Sequence, residues 1–244
     1  MGFIIAALKI IIILGFLVLI HETGHFLVAR LCRVKVKEFS IGFGPILWKK
    51  ETEKTKYMVR LIPLGGYVSM LGEEERSEEE GSFSKASIPK KIAIVAAGGL
   101  VNIIFALILY IIIATILTGN IAKAITSTGN FVMAMVESIK LIFTGGVTVN
   151  DFMGPIGISQ VVAQTNGLLD FFYIMALVSM SLGVTNLLPF PPLDGGKILI
   201  YIIELIRRKP LKENFELKLQ LLGFLVLITL SVYVAFNDVG RILQ

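Results

Sequence analysis

Four long apolar runs separated by polar stretches set the pattern of the chain. They extend from Phe3 to Ala29, Ile92 to Leu117, Phe171 to Leu188 and Leu219 to Phe236. Each is close to the roughly 20 residues that an α-helix needs to cross a bilayer. After the first run the period shortens: Val34-Lys35-Val36-Lys37-Glu38-Phe39 alternates as a strand does. Ser40 to Pro45 reads as a turn, Ile46-Leu47-Trp48 as extended chain, Lys49 to Lys54 as a hairpin tip and Thr55 to Ile62 as the returning strand. Pro63-Leu64-Gly65-Gly66 breaks that strand and Tyr67 to Met70 re-extends it. Beyond the second run, 118–130 reads as a short outer linker and 131–143 as an amphipathic segment lying at the interface, interrupted by Glu137 and Lys140. The predicted fold is an α-helical integral membrane protein of one domain, residues 1–244. It has four transmembrane helices (3–29, 92–117, 171–188 and 219–236) and a small membrane-associated β element, 34–70, between helices 1 and 2.

Composition agrees, with 55% hydrophobic residues against the 45–50% or so of soluble domains. The net charge of +5 could suggest nucleic acid, but its distribution excludes that reading. Basic residues crowd between runs one and two, from Arg30 to Lys91, and between runs three and four, from Lys197 to Lys218. The interval between runs two and three holds only Lys123 and Lys140. The positive-inside rule therefore predicts a multi-pass protein of the cell (inner or plasma) membrane with both basic loops in the cytosol and both termini outside. Cys32 is alone, so neither a disulfide nor a thiolate metal site is expected. The first run is too long for a cleaved signal peptide. Nothing in the pattern fixes an oligomeric state.

Chemistry enters with His21-Glu22-Thr23-Gly24-His25 inside the first run. His21 and His25 are the only histidines. Four residues apart, they share a helix face about 6 Å apart along the axis. H-E-x-x-H is the pattern in which two imidazoles bind zinc and the glutamate handles a water proton. Polar groups at that depth are costly, which strengthens a functional reading over a buried hydrogen-bonded pair. A second stretch, Asn186 to Lys197, ends run three. Its three prolines oppose helix, and such backbone is tolerated in a membrane only within protein or beside a wet cavity. Asp194 could complete a two-histidine, one-carboxylate set, or could simply cap the helix that follows it. Asn186 reads equally as a helix-end polar group or as a donor to substrate or oxyanion. The β element reads equally as a cap over the helices or as an edge to which an unwound substrate adds as a strand. Glu73–Glu75 and Glu78–Glu80 read as a solvated loop, and Asn102 in run two as a helix-to-helix hydrogen-bonding group.

These motifs together resemble the site-2 protease family of intramembrane zinc metalloproteases, in its bacterial regulated-intramembrane-proteolysis branch. The resemblance rests on His21 to Phe26, Phe39 to Pro45, Ile62 to Val68, Gly154 to Ile158 and Asn186 to Gly196, which occur in family order over nearly the whole chain. It implies that His21, His25 and Asp194 bind Zn2+ and that Glu22 is catalytic. It further implies that Asn186 and the Gly65-Gly66-Tyr67 loop meet substrate. Substrates would be single-pass transmembrane proteins or peptides already trimmed outside, such as anti-sigma factors or remnant signal peptides, cut near the cytosolic side. The family's usual PDZ domain between helices 2 and 3 has no room in 118–130. The alternative function is a non-cleaving relative that holds membrane helices, or a metal-binding membrane protein. An inactive relative is expected to lose Glu22 or a ligand, whereas this chain keeps them all.

Overall fold

A computed structural model describes residues 2–146, 154, 157–158, 161–162, 165 and 167–242. The helices are α1 (Gly2–Leu31), α2 (Ile88–Thr118), α3 (Ile121–Thr144), α4 (Leu168–Asn186), α5 (Asp194–Arg207) and α6 (Glu213–Ile242). Strands β1 (Val36–Glu51) and β2 (Lys56–Met70) pair antiparallel as a two-stranded sheet between α1 and α2. Among the described residues, four helical stretches are long and apolar enough to cross a membrane: Ala7–Leu31, Ile88–Thr118, Leu168–Asn186 and Glu213–Gly240. On α2 the row Ile104, Ile108, Ile112 and Ile116 stays at least half exposed, as expected of a side wetted by lipid rather than water. The fold is the expected one, four apolar helices with a small β element. Of the Gly154 to Ile158 motif, Pro155 and Ile156 lie outside the described residues, as do 151–153.

Local chemistry sets the helix ends. Pro89 falls in the first turn of α2, where its missing N–H costs no hydrogen bond. The amide of Val34 donates to Ala29 O at 2.8 Å past Arg33 in the left-handed region (φ +64°), a C-terminal cap that turns the chain into β1. Asn120 caps α3, its Oδ1 accepting from the amides of Ala122 (2.9 Å) and Lys123 (3.2 Å). The stretch 118–130, expected to be a linker, is therefore mostly helix continuous with the amphipathic segment. The asparagine cap starts the helix before its apolar stripe begins.

The hairpin folds back on itself where the sequence predicts. Glu38 to Ile41 pairs antiparallel with Gly66 to Ser69 on one side and runs parallel beside Lys56 to Val59 on the other, whereas Trp48 to Glu51 pairs antiparallel with Lys56 to Val59. The chain therefore reverses across Ser40 to Pro45 and again across Pro63 to Gly66, with Gly42 and Gly44 at φ +83° and Gly65 at φ +110°. The hairpin tip also falls where expected. There Thr52 Oγ1 donates to Thr55 O (2.8 Å) and accepts from the Thr55 amide (3.1 Å).

Packing divides the chain into two compact units. One comprises 1–10, 104–180 and 225–244, the other 11–103 and 181–224. In the first, Tyr110 stacks on Phe131 with ring centroids 4.3 Å apart, Lys9 Nζ donates to Thr165 Oγ1 at 2.9 Å, and Asp238 accepts from the Gly157 amide at 2.8 Å. In the second, Ala29, Val34, Val36, Met70, Phe83, Ile94, Val95, Ile200 and Tyr201 form one core joining α1, the sheet, α2 and α5. Glycines bring this unit's helices close: a Cβ on Gly183 would lie 2.6 Å from Gly99 O, so α4 rests directly on the α2 backbone. Gly183→Val should therefore overpack this contact at a cost of about 1–3 kcal/mol. A thermal unfolding scan in detergent should show a lower Tm, while Gly129→Ala, an exposed helical position with open space around it, should leave Tm unchanged or slightly raised.

Candidate metal centre

All the polar groups of the site fall within the second unit. The one-turn spacing on α1 sets the rings of His21 and His25 edge to face, centroids 4.7 Å apart, with their Nε2 atoms 3.1 Å apart. Asp194 arrives from the other end of the sequence. After α4 the chain runs non-helically through Pro189-Phe190-Pro191-Pro192, and Asp194 is the first residue of α5. Its Oδ2 lies 3.1 Å from His21 Nε2 and 3.4 Å from His25 Nε2. Leu193, not Asp194, is the N-cap residue, and no side chain caps α5; the carboxylate faces the imidazoles instead. Gly196 permits this fold-back, since a Cβ there would sit 2.7 Å from the Phe190 carbonyl carbon.

The neighbours orient the rings. His25 Nδ1 is 2.9 Å from Ile94 O, so Nδ1 carries the proton and Nε2 keeps its lone pair toward Asp194. His21 Nδ1 lies 3.4 Å from the Asn102 side-chain amide. Asn102 thus makes the expected helix-to-helix hydrogen bond, from α2 to α1, and its partner is an imidazole of the site. Gly24 lets α2 approach, because a Cβ on it would come within 2.6 Å of Ala97 O. Gly98 leaves room for the rings themselves: a Cβ there would meet His21 Nε2 at 2.7 Å and strike His25 as well.

A cavity of about 200 Å³ opens on this cluster, lined by His21, Glu22, His25, Tyr67, Val68, Met70, Glu73, Val95, Asp194 and Lys197. The sheet reaches it through β2, where a Cβ on Gly66 would be 3.6 Å from Glu22 Cγ. Tyr67 lines the cavity, its hydroxyl donating to Glu38 and accepting from Arg60 Nη2 at 3.0 Å. Burial and the Glu38 carboxylate both push the Tyr67 phenol above its ordinary range. Gly65, by contrast, faces the Phe43 ring, and Asn186 donates to Leu182 O at 3.0 Å on its own helix. Neither is among the cavity-lining residues. Two groups around the site escaped sequence reasoning, Glu73 and Lys197. Glu73 is not part of a solvated run; it pairs with Lys197 at 3.0 Å. No local signal marked either, whereas the polarity of Asn102 within an apolar helix did mark it.

His21 Nε2, His25 Nε2 and Asp194 Oδ2 could hold a cation. Asp194 Oδ2 is buried, and among the described residues no donor reaches it, so lone pairs meet at short range, which is unfavourable unless a cation sits among them. Tetrahedral zinc with nitrogen and oxygen donors at about 2.0–2.2 Å spaces its ligands roughly 3.3–3.5 Å apart, close to the 3.1, 3.1 and 3.4 Å seen here. Together, apolar spanning helices and a buried two-histidine, one-carboxylate cluster with a glutamate alongside define a polytopic membrane protein of the metalloprotease class.

Comparison with known proteins narrows the class. The sequence model of Peptidase family M50 matches residues 9–230, and the chain belongs to that family, the site-2 proteases; it is a metalloendopeptidase. A Clostridium acetobutylicum protein named "Putative zinc metalloprotease" is 27% identical over 326 aligned positions, covering 94% of this chain and 96% of the relative. A Clostridium perfringens protein of the same description is 28% identical, covering 91% and 95%. The Escherichia coli "Regulator of sigma-E protease RseP" is 48% identical over 108 residues, covering 41% of this chain and 23% of that protein. The alignment with the Clostridium acetobutylicum relative is 82 positions longer than this whole chain, 326 against 244, so that relative carries residues with no counterpart here.

The space left by Gly98 gives a direct test of the cluster. Gly98→Ala places a methyl group among the ring nitrogens, and zinc affinity measured by chelator competition should fall at least about 10-fold. The far-UV circular dichroism of the metal-free protein should stay helical, which separates the lost affinity from unfolding.

Proposed function

We propose that His21, His25 and Asp194 hold a zinc ion and that Glu22 is the general base of an endopeptidase that cuts membrane-spanning segments near the cytosolic side. One observation carries the assignment: three lone-pair-bearing atoms from distant parts of the sequence converge at 3.1–3.4 Å beside Glu22. When bound, zinc supplies Lewis acidity and lowers the pKa of water toward about 7. Glu22 takes a proton from the attacking water and passes it to the leaving nitrogen. Ile94 and Asn102 hold the imidazoles in register, and the surrounding apolar helices limit access by bulk water.

Substrate presentation falls to the hairpin. A peptide must be extended to be cut, and β2 brings extended backbone against Glu22 at Gly66. This favours strand addition over a passive cap, with Gly66 and Tyr67 nearest the cut bond. Asn186 gives one N–H to Leu182 O and keeps its second N–H and Oδ1 for substrate. Charge asymmetry supports a cytosolic hairpin and both termini outside the cell membrane, with 118–130 leading outside into α3. A single domain then spans 1–244, without a PDZ insertion in that interval, and the longer alignments of relatives agree with such a difference. Single-pass proteins pre-trimmed outside, of the anti-sigma-factor or remnant-signal-peptide kind, are the substrates this reading names.

Two variants test it. Glu22→Gln should retain zinc at the wild-type stoichiometry yet abolish cleavage of a co-expressed single-span substrate; continued cleavage would contradict the role of Glu22. Asp194→Ala should lose zinc measured by inductively coupled plasma mass spectrometry, whereas an unchanged zinc content would remove Asp194 from the ligand set.

A further inference from the structure

We propose that Lys197 is a further catalytic residue, an ammonium held by Glu73 to donate hydrogen bonds to the carbonyl oxygen of the bond being cut; this rests on the reading of the site just given. α5 carries Asp194 and Lys197 three residues apart, hence on one face and one turn apart. Both line the same cavity as His21, Glu22 and His25. With about 200 Å³ of space among them, the ammonium and Glu22 border one small volume, the size of a few water molecules at about 30 Å³ each.

An ammonium has three N–H donors. One goes to Glu73 Oε1 at 3.0 Å, and among the described residues Glu73 is the only hydrogen-bond acceptor of Nζ. Two donors are left for whatever enters. The side chain is 29% exposed and that of Glu73 18%, so the pair is reachable from the cavity yet fixed by its surroundings. Burial would lower the Lys197 pKa, but the Glu73 carboxylate outweighs it and keeps the group charged.

This charge has a use in the reaction. As the water oxygen bonds to the carbonyl carbon, one water proton passes to Glu22 and the carbonyl π pair moves onto the carbonyl oxygen. Positioned N–H donors stabilise that negative charge more than the neutral ground state. When the C–N bond breaks, the pair returns to re-form C=O, the proton on Glu22 goes to the leaving nitrogen, and the second water proton stays on the new carboxyl group. Glu73 is a positioning residue here: it fixes the ammonium without touching substrate.

A plain structural tie between the hairpin exit and α5 is the competing explanation, and the two partners separate the cases. Lys197→Met and Glu73→Gln both break the ion pair, but only the first removes the cation. With the full-length, zinc-loaded protein and a single-span substrate, Lys197→Met should lower kcat by about 10²–10³-fold with KM and zinc stoichiometry unchanged. Lys197→Arg should recover part of the loss, and Glu73→Gln should lose much less. A peptide phosphinate, whose tetrahedral anion copies the attacked carbonyl, should bind Lys197→Met at least about 10-fold more weakly by fluorescence polarisation. Uncleaved substrate should bind Glu22→Gln and Glu22→Gln/Lys197→Met equally. Wild-type turnover in Lys197→Met, or equal losses in Lys197→Met and Glu73→Gln with Tm or zinc content falling in both, would overturn the proposal. Cleavage persisting in Glu22→Gln would overturn the underlying site reading, a failure visible without any change at Lys197.

Discussion

Two imidazole nitrogens and a carboxylate oxygen sit within 3.4 Å of one another in the midst of apolar helices. Unpaired polar groups in such surroundings cost several kcal/mol each, so the arrangement persists only if its surroundings impose it and a cation repays it. Much of the second unit can be read as that imposition. Pro189 to Pro192 stop α4 and redirect the chain, Gly196 lets α5 start against the loop, and Asp194 is thereby aimed at α1 instead of capping α5. Ile94 O and Asn102 hold the outer ring nitrogens. Gly24 and Gly98 bring α2 close enough to supply both.

Close backbone approach is thus the structural theme, and it has a physical basis in the membrane. Lipid tails are as apolar as the helix surfaces, so helices associate through van der Waals contact and polar bonds, both of which need short distances. Glycine provides them at α1–α2 and α2–α4. The hairpin reaches the site by the same means, through Gly66 against Glu22.

Much of this was legible in the sequence because the signals are local. Long apolar runs gave the four spanning helices, the four-residue spacing of His21 and His25 gave their shared face, and the proline-rich stretch ahead of Asp194 gave a non-helical approach. What escaped depends on tertiary register. The turn at Ser40 to Pro45 was legible from its local signs, but not that the fold-back would set Glu38 to Ile41 beside Lys56 to Val59. Glu73 looked like the first of several solvated glutamates, and only the fold-back of α5 sets Lys197 beside it. The start of α3 escaped because Asn120 is a one-residue signal, weaker than the apolar stripe further on. Asn186 and Gly65, expected at the substrate, face their own helix and the Phe43 ring, contacts no sequence pattern shows.

The central claim is that α1 and α5 jointly build one zinc site. X-ray absorption at the zinc edge of the purified protein tests it most directly. The account predicts a four-coordinate shell of nitrogen and oxygen at about 2.0–2.2 Å with the signature of two imidazoles, and the loss of one oxygen ligand or of the metal itself in Asp194→Ala. A sulfur scatterer near 2.3 Å, or a shell unchanged by Asp194→Ala, would contradict it.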